Sequence, residues 1–150
     1  MTNSYLLFLL SQRLFGVKLV GAIEILPWRP SRPVPLSYSY VEGLLDYRGT
    51  IYPVYNLVQR LGLGRPGPIG FTADAGGGST PKGQSIILLE ENGRPFGIVV
   101  DTVLKMTKLE EQAAAAEKMQ GINPRFVKGL VYDEDYEALI LDFERLLHGD

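Results

Sequence analysis

Short apolar runs separated by polar or glycine-containing turns recur along the chain, and this pattern predicts β-hairpins rather than long helices. Three pairs of runs lie close enough in sequence to form hairpins: 4–10 with 14–19, 85–89 with 95–100, and 127–132 with 138–142. Asn92-Gly93, between the runs of the second pair, favours the left-handed backbone of a two-residue hairpin turn.

A fourth pair of apolar runs, 41–45 and 50–55, leads into a short helix. The turn between these runs is Asp46-Tyr47-Arg48-Gly49, and its glycine can adopt a positive φ. Asn56 follows as an N-cap residue, and the apolar spacing after it predicts a helix over 56–61. The segment therefore predicts a strand-rich unit that ends in a helix.

Three other segments contain helix-forming patterns. Four alanines at 113–116, between Glu and Lys residues, favour a helix over 108–119, which is only about three turns long, so a loop is the open alternative. Residues 143–147 predict a closing helix or a tail, and residues 20–26 are compatible with either a strand or a short helix.

Two connectors interrupt these elements. Residues 27–35 contain four prolines, which lack a backbone N–H and predict a stiff crossover outside any sheet interior. The same segment, with Arg29 or Arg32, has the polyproline character of a ligand for an SH3-like groove, and this alternative stays open. Residues 62–84 are rich in glycine and proline and predict a linker or mobile loop.

The two halves of the chain resemble each other. With an offset of 81 residues, segment 13–17 aligns with 94–98, and with an offset of 86 residues, segment 41–45 aligns with 127–131. Internal duplication and a chance likeness between hairpins both explain this. In either case the two units, 4–61 and 85–147, are each too small to bury both faces of a sheet. The predicted fold is mainly β, with two small barrels side by side that can exchange strands.

Composition narrows the available chemistry. The 150 residues include no Cys and one His, His148, which excludes disulfides, thiolate nucleophiles and most zinc sites. A net charge of −2 argues against nucleic-acid binding, because neutralising phosphates requires a basic excess. The apolar start has no basic segment before it and is too short to span a membrane. We therefore expect a cytoplasmic protein without direct membrane insertion.

Charge is divided unevenly along the chain. Residues 1–74 carry seven Lys and Arg and four Asp and Glu, whereas residues 75–150 carry eight and thirteen. Either the surface charges are scattered by chance, or two faces of the protein meet partners of opposite sign.

No segment matches a catalytic or cofactor-binding pattern. The glycine-rich residues 76–83 lack the residue order of a phosphate loop, and the acidic residues 133–137 lack the glycine and distal Glu of a calcium loop. We expect no metal and no cofactor. The more informative residues are Glu24, which follows a run of small and apolar side chains, and Arg48, which lies at a turn. A carboxylate–guanidinium pair between them would fix that turn, and solvation of both is the alternative.

A longer motif indicates a family. Residues 43–57 read Gly-Leu-Leu-Asp-Tyr-Arg-Gly-Thr-Ile-Tyr-Pro-Val-Tyr-Asn-Leu and resemble the G-V-x-N-L-R-G-x-I-x-P-V-x-D-L motif of CheW-like chemotaxis coupling proteins. Segments 15–17, 96–103 and 126–130 resemble the family in the same order, so the likeness covers nearly the whole chain. Asp46-Tyr47 departs from the family's Asn-Leu, and Asn56 replaces its Asp.

The resemblance implies two five-stranded SH3-like barrels and a non-enzymatic bacterial adaptor without cofactors. Its implied partners are the signalling tip of a methyl-accepting chemoreceptor and the regulatory domain of a CheA-type histidine kinase. The residues that match the family's receptor groove and coupling positions are Ala22, Glu24, Arg48, Gly97, Val103 and Met106. Those that match the turn and packing positions of its motif are Gly43, Gly49 and Pro53.

Two functions from different classes follow. The first is a chemotaxis adaptor for a flagellar, twitching or other receptor pathway. The second is a small-ligand-binding or enzymatic β-barrel protein that uses the cleft between the barrels. The second function requires a polar-lined pocket with several convergent titratable groups.

Overall fold

The computed structural model describes residues 2–20, 23–63, 83–134 and 136–147. Within these ranges the fold is mainly β, with short helices. The strands are β1 Thr2–Leu10, β2 Arg13–Lys18, β3 Glu24–Pro27, β4 Val41–Tyr47, β5 Thr50–Asn56, β6 Ser85–Glu91, β7 Arg94–Val100, β8 Thr102–Glu110, β9 Val127–Asp133 and β10 Tyr136–Leu141. The helices are α1 Leu57–Leu61, α2 Ala116–Met119, a 3₁₀ turn Pro124–Phe126 and α3 Phe143–Leu146.

The four predicted hairpins are confirmed. They are β1–β2, β4–β5, β6–β7 and β9–β10, each antiparallel. The two central residues of the β4–β5 turn, Arg48 and Gly49, have φ values of 52° and 82°. The same left-handed pair recurs at Asn92 and Gly93, as a two-residue hairpin turn requires. The helix predicted after β5 is confirmed as well, because Asn56 Oδ1 accepts the backbone N–H of Gln59 at 3.1 Å.

The strands form two five-stranded sheets. Sheet A has the order β8-β1-β2-β10-β9, and sheet B has the order β3-β6-β7-β5-β4. Neither ladder of hydrogen bonds closes into a complete barrel. We call the gap between β8 and β9 seam A, and the gap between β3 and β4 seam B.

Each sheet takes strands from both halves of the chain. Sheet A combines β1 and β2 with β8, β9 and β10, while sheet B combines β3, β4 and β5 with β6 and β7. Parallel pairs, β2 with β10 and β5 with β7, join the contributions. Units 4–61 and 85–147 therefore remain a division of the sequence, and each supplies strands to both sheets.

The exchange removes the charge difference seen along the chain. The segments that build sheet A, 2–20 and 102–147, contain eight Lys and Arg and nine Asp and Glu. The segment that contains sheet B, 23–101, has seven of each. The charge difference between the chain halves therefore does not carry over to the segments that build the two sheets, and the alternative that two faces meet partners of opposite sign stays a prediction.

The internal repeat is visible in the pairing register. In sheet B, Gly97 lies opposite Val54, and in sheet A, Gly16 lies opposite Ile140. These residues are related by the offsets of 81 and 86 found in the sequence. The β4–β5 and β9–β10 pairings carry a register shift at positions that the 86-residue offset also relates. The two sheets therefore share one pattern of pairing, and we call residues related by these offsets equivalent.

The largest apolar cluster contains side chains from both sheets. Leu6 and Phe15 come from sheet A, and their equivalents Ile87 and Phe96 come from sheet B, all with 2% exposure or less. A smaller cluster fills sheet A around Leu7, and another fills sheet B around Leu88. Because most of the buried apolar surface lies in the shared cluster, neither sheet has an adequate core of its own. We call this the central cluster.

The helix predicted over 108–119 is wrong for most of its length. Strand β8 continues to Glu110, Gln112 forms a bridge with Leu130, and only Ala116–Met119 is helical. Residues 108–110 pair with β1 instead, and the remaining alanine run is too short to sustain a longer helix on its own. Of the ambiguous segment 20–26, residues 24–26 belong to strand β3.

The proline-rich connector lies along the outer edge of sheet B. Arg32 N donates to Leu44 O and Leu44 N donates to Arg32 O, both at 2.8 Å. Trp28, half-buried, packs against the interior cluster of sheet B. These contacts agree with the predicted crossover outside the sheet interior and hold the backbone of Arg32 against β4. Most of the predicted linker 62–84, and His148, lie outside the described residues.

Candidate functional site

Glu24 and Tyr47 meet across seam B. Glu24 begins β3 opposite Leu88, so its half-buried side chain lies on the interior side of sheet B. Tyr47 ends β4, at the other edge of the same sheet, and its hydroxyl donates to Glu24 Oε2 at 3.2 Å. The phenol ring packs against the interior cluster of sheet B. Tyr47 therefore joins the two edges of sheet B.

Arg48 lies beside this contact but does not pair with Glu24. Its side chain is exposed, and its Cζ lies 5.1 Å from the centroid of the Tyr47 ring. Among the described residues no hydrogen bond or ion pair connects Arg48 to Glu24. The direct carboxylate–guanidinium pair considered from the sequence is therefore wrong. Tyr47 lies between the two charges instead, with its hydroxyl toward one and its ring toward the other.

Seam A has the same architecture with different chemistry. Lys105 of β8 is equivalent to Glu24, Asp133 of β9 is equivalent to Tyr47, and the two form an ion pair across the seam. The bond to Asp133 raises the pKa of Lys105. Glu134, equivalent to Arg48, follows with φ 52°. The two seams thus carry opposite charges at two equivalent positions.

Met106 is an exposed residue among those predicted to form the groove. It lies opposite Leu6 in the β1–β8 pair, on the face of sheet A turned toward the central cluster, and is 60% exposed. Val103, on the same strand, is half-buried and packs against the central cluster. Ala22 lies outside the described residues.

Gly97 is packed within sheet B. It is buried in β7, and a Cβ added there would meet Leu88 Cδ2 at 3.1 Å and Ile86 Cγ2 at 3.3 Å, inside sheet B. Glycine at this position lets the sheet interior pack closely. The assignment of Gly97 to a receptor groove stays a prediction.

The three motif positions are part of the scaffold. Gly43 is buried where the connector crosses β4, and an added Cβ would overlap the Arg32 carbonyl and lie 2.7 Å from Ser31 Oγ. Gly49 supplies the left-handed turn position with open space around it. Pro53 is half-buried in β5, opposite Leu44. All three residues shape the β4–β5 hairpin that carries Tyr47 and Arg48.

Two exposed apolar residues were missed from the sequence. Ile25, equivalent to Met106, is 39% exposed and lies opposite Ile87 of the central cluster. Leu104 is 43% exposed, at the register shift of the β1–β8 pair. The alignment with offset 81 was the signal for Ile25, since it places this residue at the Met106 position.

A cavity lies between the sheets. It has a volume of about 270 Å³, below the ~300–1,000 Å³ typical of ligand pockets. Val17 and Lys18 of sheet A and Glu90 and Phe96 of sheet B are among the residues around it. Within the described ranges no cluster of three His, Cys, Asp or Glu side chains is arranged to hold a metal, and no helix is long and apolar enough to cross a membrane. The cavity gives little support to a ligand-binding barrel.

Comparison with known proteins decides the family. The family model described as the CheW-like domain matches residues 4–150. The chain belongs to the CheW-like domain family. A chemotaxis protein CheW from Treponema pallidum (strain Nichols) is 27% identical over 141 residues, which covers 93% of this chain and 78% of that protein. A chemotaxis protein CheW from Thermotoga maritima is 30% identical over 115 residues, which covers 77% of this chain and 68% of that protein.

A solved structure supports the CheW fold. The crystal structure of the scaffolding protein TtCheW from Thermoanaerobacter tengcongensis has a TM-score of 0.80 and 22% identity, and the match covers 100% of this chain and 90% of that chain. The predicted family and the predicted fold of two SH3-like subdomains are confirmed. As a member of the CheW family, this chain is a non-enzymatic chemotaxis scaffold, and the enzymatic alternative is wrong.

Proposed function

We propose that this protein couples the signalling tip of a methyl-accepting chemoreceptor to the regulatory domain of a CheA-type histidine kinase. The observation that carries the proposal is Met106, which is 60% exposed at the border of the central cluster. An apolar side chain in this position gains from burial by a partner, since contact with apolar surface removes it from water. The function places the protein in the cytoplasm, at membrane-associated receptor arrays.

The receptor contact is proposed at strand β8. Val103, Leu104 and Met106 bring apolar surface to one strand, next to the contact line of the two sheets. A receptor tip is a helical hairpin, and an amphipathic helix binds such a strip with apolar residues at spacings of three and four. Glu24 and Arg48, at seam B, are the proposed polar contacts of the receptor complex.

The kinase contact is proposed at the edges of the sheets. A kinase regulatory domain of the same fold offers a similar edge, so the two proteins meet through apolar surface with a polar rim. The seams support discrimination between partners, because the charges at equivalent positions are reversed. Seam B has Glu24 and Arg48 where seam A has Lys105 and Glu134. A partner surface complementary to one seam is repelled by the other.

The proposed mechanism is a shift of equilibrium without a chemical step. A small movement of the receptor tip changes the relative stability of two arrangements of the kinase by a few kcal/mol at most. The central cluster is the proposed route for this movement, because both sheets pack into it.

The test is binding of the purified protein to the cytoplasmic fragment of a chemoreceptor and to the kinase regulatory domain from the same organism. Binding at tens of micromolar or tighter is expected for both. The substitutions Met106→Lys, Glu24→Ala and Arg48→Ala are expected to weaken receptor binding and to leave the β circular dichroism spectrum unchanged. Absence of binding to either fragment refutes the proposal, and unfolding of both the Glu24 and Arg48 variants makes those two residues structural.

A further inference from the structure

Tyr47 makes three contacts with charged side chains at seam B. Its hydroxyl donates to Glu24 Oε2 at 3.2 Å, and its ring centroid lies 5.1 Å from Arg48 Cζ and 5.8 Å from Arg29 Cζ. The ring itself is held by packing against the interior cluster that includes Leu26. A fixed ring is therefore surrounded by one carboxylate and two guanidinium groups.

The two ends of the phenol act on charges of opposite sign. The hydroxyl donates to the carboxylate and sets the position of Oε2, while the electron-rich face of the ring attracts guanidinium groups. Arg48 has a left-handed backbone with φ 52°, a conformation that costs energy for a residue with a Cβ. This backbone conformation sets the direction in which the Arg48 side chain leaves the turn. The Tyr47 ring then limits the positions that the guanidinium takes.

The motif of the family has leucine where this chain has Tyr47. Leucine packs in the same interior but neither donates a hydrogen bond nor attracts a guanidinium. In seam A the equivalent position is Asp133, which contacts Lys105. Both seams therefore use this position to link their edge strands, and in seam B the linking residue also contacts the two charges proposed to recognise the receptor.

We infer that Tyr47 is a positioning residue for receptor recognition: its hydroxyl and ring hold the Glu24 carboxylate and the Arg48 guanidinium in one arrangement on the surface of seam B. The inference rests on the proposed function and deepens it. Tyr47 itself is half-buried and acts through these two side chains.

The experiment measures affinity for the receptor cytoplasmic fragment by calorimetry. Tyr47→Phe removes only the hydroxyl and is expected to weaken binding about threefold to tenfold, the effect of losing one typical hydrogen bond at a half-exposed site. Tyr47→Leu also removes the aromatic face and is expected to weaken binding by a further factor of about two to five. Tyr132→Phe, which removes the same atom from an exposed tyrosine of β9, is the matched control and keeps the wild-type affinity.

A double-mutant cycle separates positioning from general stability. Tyr47→Phe and Glu24→Gln disturb the same contact, so their effects on affinity are expected to be less than additive. If the wild-type protein binds the fragment, two results overturn the inference and leave the proposed function intact. One is that the two substitutions have additive effects, and the other is that Tyr47→Phe binds with unchanged affinity. If the wild-type protein does not bind the fragment, the proposed function fails first. Tyr47→Phe retains the ring, so the test remains valid if Tyr47→Leu does not fold.

Discussion

Replacing Arg60 with methionine is expected to loosen the contact between the two halves of the fold. Arg60 lies in α1, which follows the last strand of the first unit, and reaches α3 at the end of the second. Its Nε donates to Leu146 O at 2.9 Å and its Nη2 donates to Arg145 O at 3.3 Å. The guanidinium lies 4.5 Å from the ring of Tyr40 and 4.8 Å from that of Phe126. One side chain thus joins two helices and two buried rings.

The magnitude follows from these contacts. The 2.9 Å bond from a charged donor contributes about 1 kcal/mol at this half-exposed site, and the 3.3 Å bond contributes less. The two cation–π contacts add about 0.5–1 kcal/mol each. Methionine keeps an apolar stem of similar length, so most of the packing is retained. The expected loss in the free energy of unfolding is therefore about 2–3 kcal/mol.

Urea denaturation followed by far-ultraviolet circular dichroism measures the loss. With a slope of roughly 2 kcal/mol per molar urea, the midpoint is expected to fall by about 1–1.5 M. Arg60→Lys keeps the charge but lacks the planar guanidinium, so its urea midpoint is expected to lie between those of the wild type and Arg60→Met. Arg94→Met, at an exposed hairpin position, is the control and changes stability by less than about 0.5 kcal/mol. If Arg60→Met and Arg94→Met have the same stability, the contacts of Arg60 do not stabilise the fold.

Three further predictions test the scaffold. Gly43→Ala places a Cβ against the Arg32 carbonyl and is expected to cost about 2–4 kcal/mol in the urea assay, whereas Gly49→Asn, with open space around a left-handed residue, costs less than about 1. Ile87→Ala in the central cluster is expected to cost about 2–5 kcal/mol. Because both sheets share that cluster, the unfolding midpoints of the Ile87→Ala variant measured by Trp28 fluorescence and by circular dichroism should still coincide. Separate midpoints would show that the sheets unfold independently. Burial and the bond to Glu111 raise the pKa of Tyr5 to about 12, above its ordinary value of 10.0, so stability should fall as pH rises from about 10 through 12. Tyr5→Phe, measured by urea denaturation across that range, should lack this part of the decline.

The elements predicted correctly from the sequence are those with local signals. The four hairpins have apolar runs on both sides of a turn residue such as Gly49 or Gly93, and the helix after β5 has its cap at Asn56. Strand β8 was missed, and β3 stayed ambiguous. Both are edge strands with solvent on one side, so their apolar pattern is weak, and their pairing partners are about 60 and 100 residues away. Such strands are determined by the sheet they join more than by their own residues.

The contacts at the candidate site depend on this long-range pairing. Glu24 and Tyr47 lie on the two outer strands of sheet B, with three strands between them in the ladder, and they meet only because the sheet curls until its edges approach. Curling is a property of the whole sheet, so the sequence suggested that Glu24 and Arg48 are near each other but not that Tyr47 lies between them. The departure from the family motif at Tyr47 was the local signal, and its meaning required the position of β3.

The same exchange of strands explains why the distribution of charge along the chain was misleading and the distribution at the seams is not. A charge counted by chain half is averaged over two sheets, because each half supplies strands to both. A comparison of single residues at equivalent positions avoids this averaging, because each residue belongs to one seam. Glu24 corresponds to Lys105, and Arg48 corresponds to Glu134. Two sheets with one pattern of pairing present two similar edges, and under the proposed function two different partners have to tell these edges apart. Reversing the charge at matched positions achieves this without changing the register of either sheet, since all four side chains lie at the edges of the sheets or in turns. A substitution that makes the seams alike, such as Lys105→Glu, is therefore expected to reduce the discrimination between partners more than it reduces the affinity for either one.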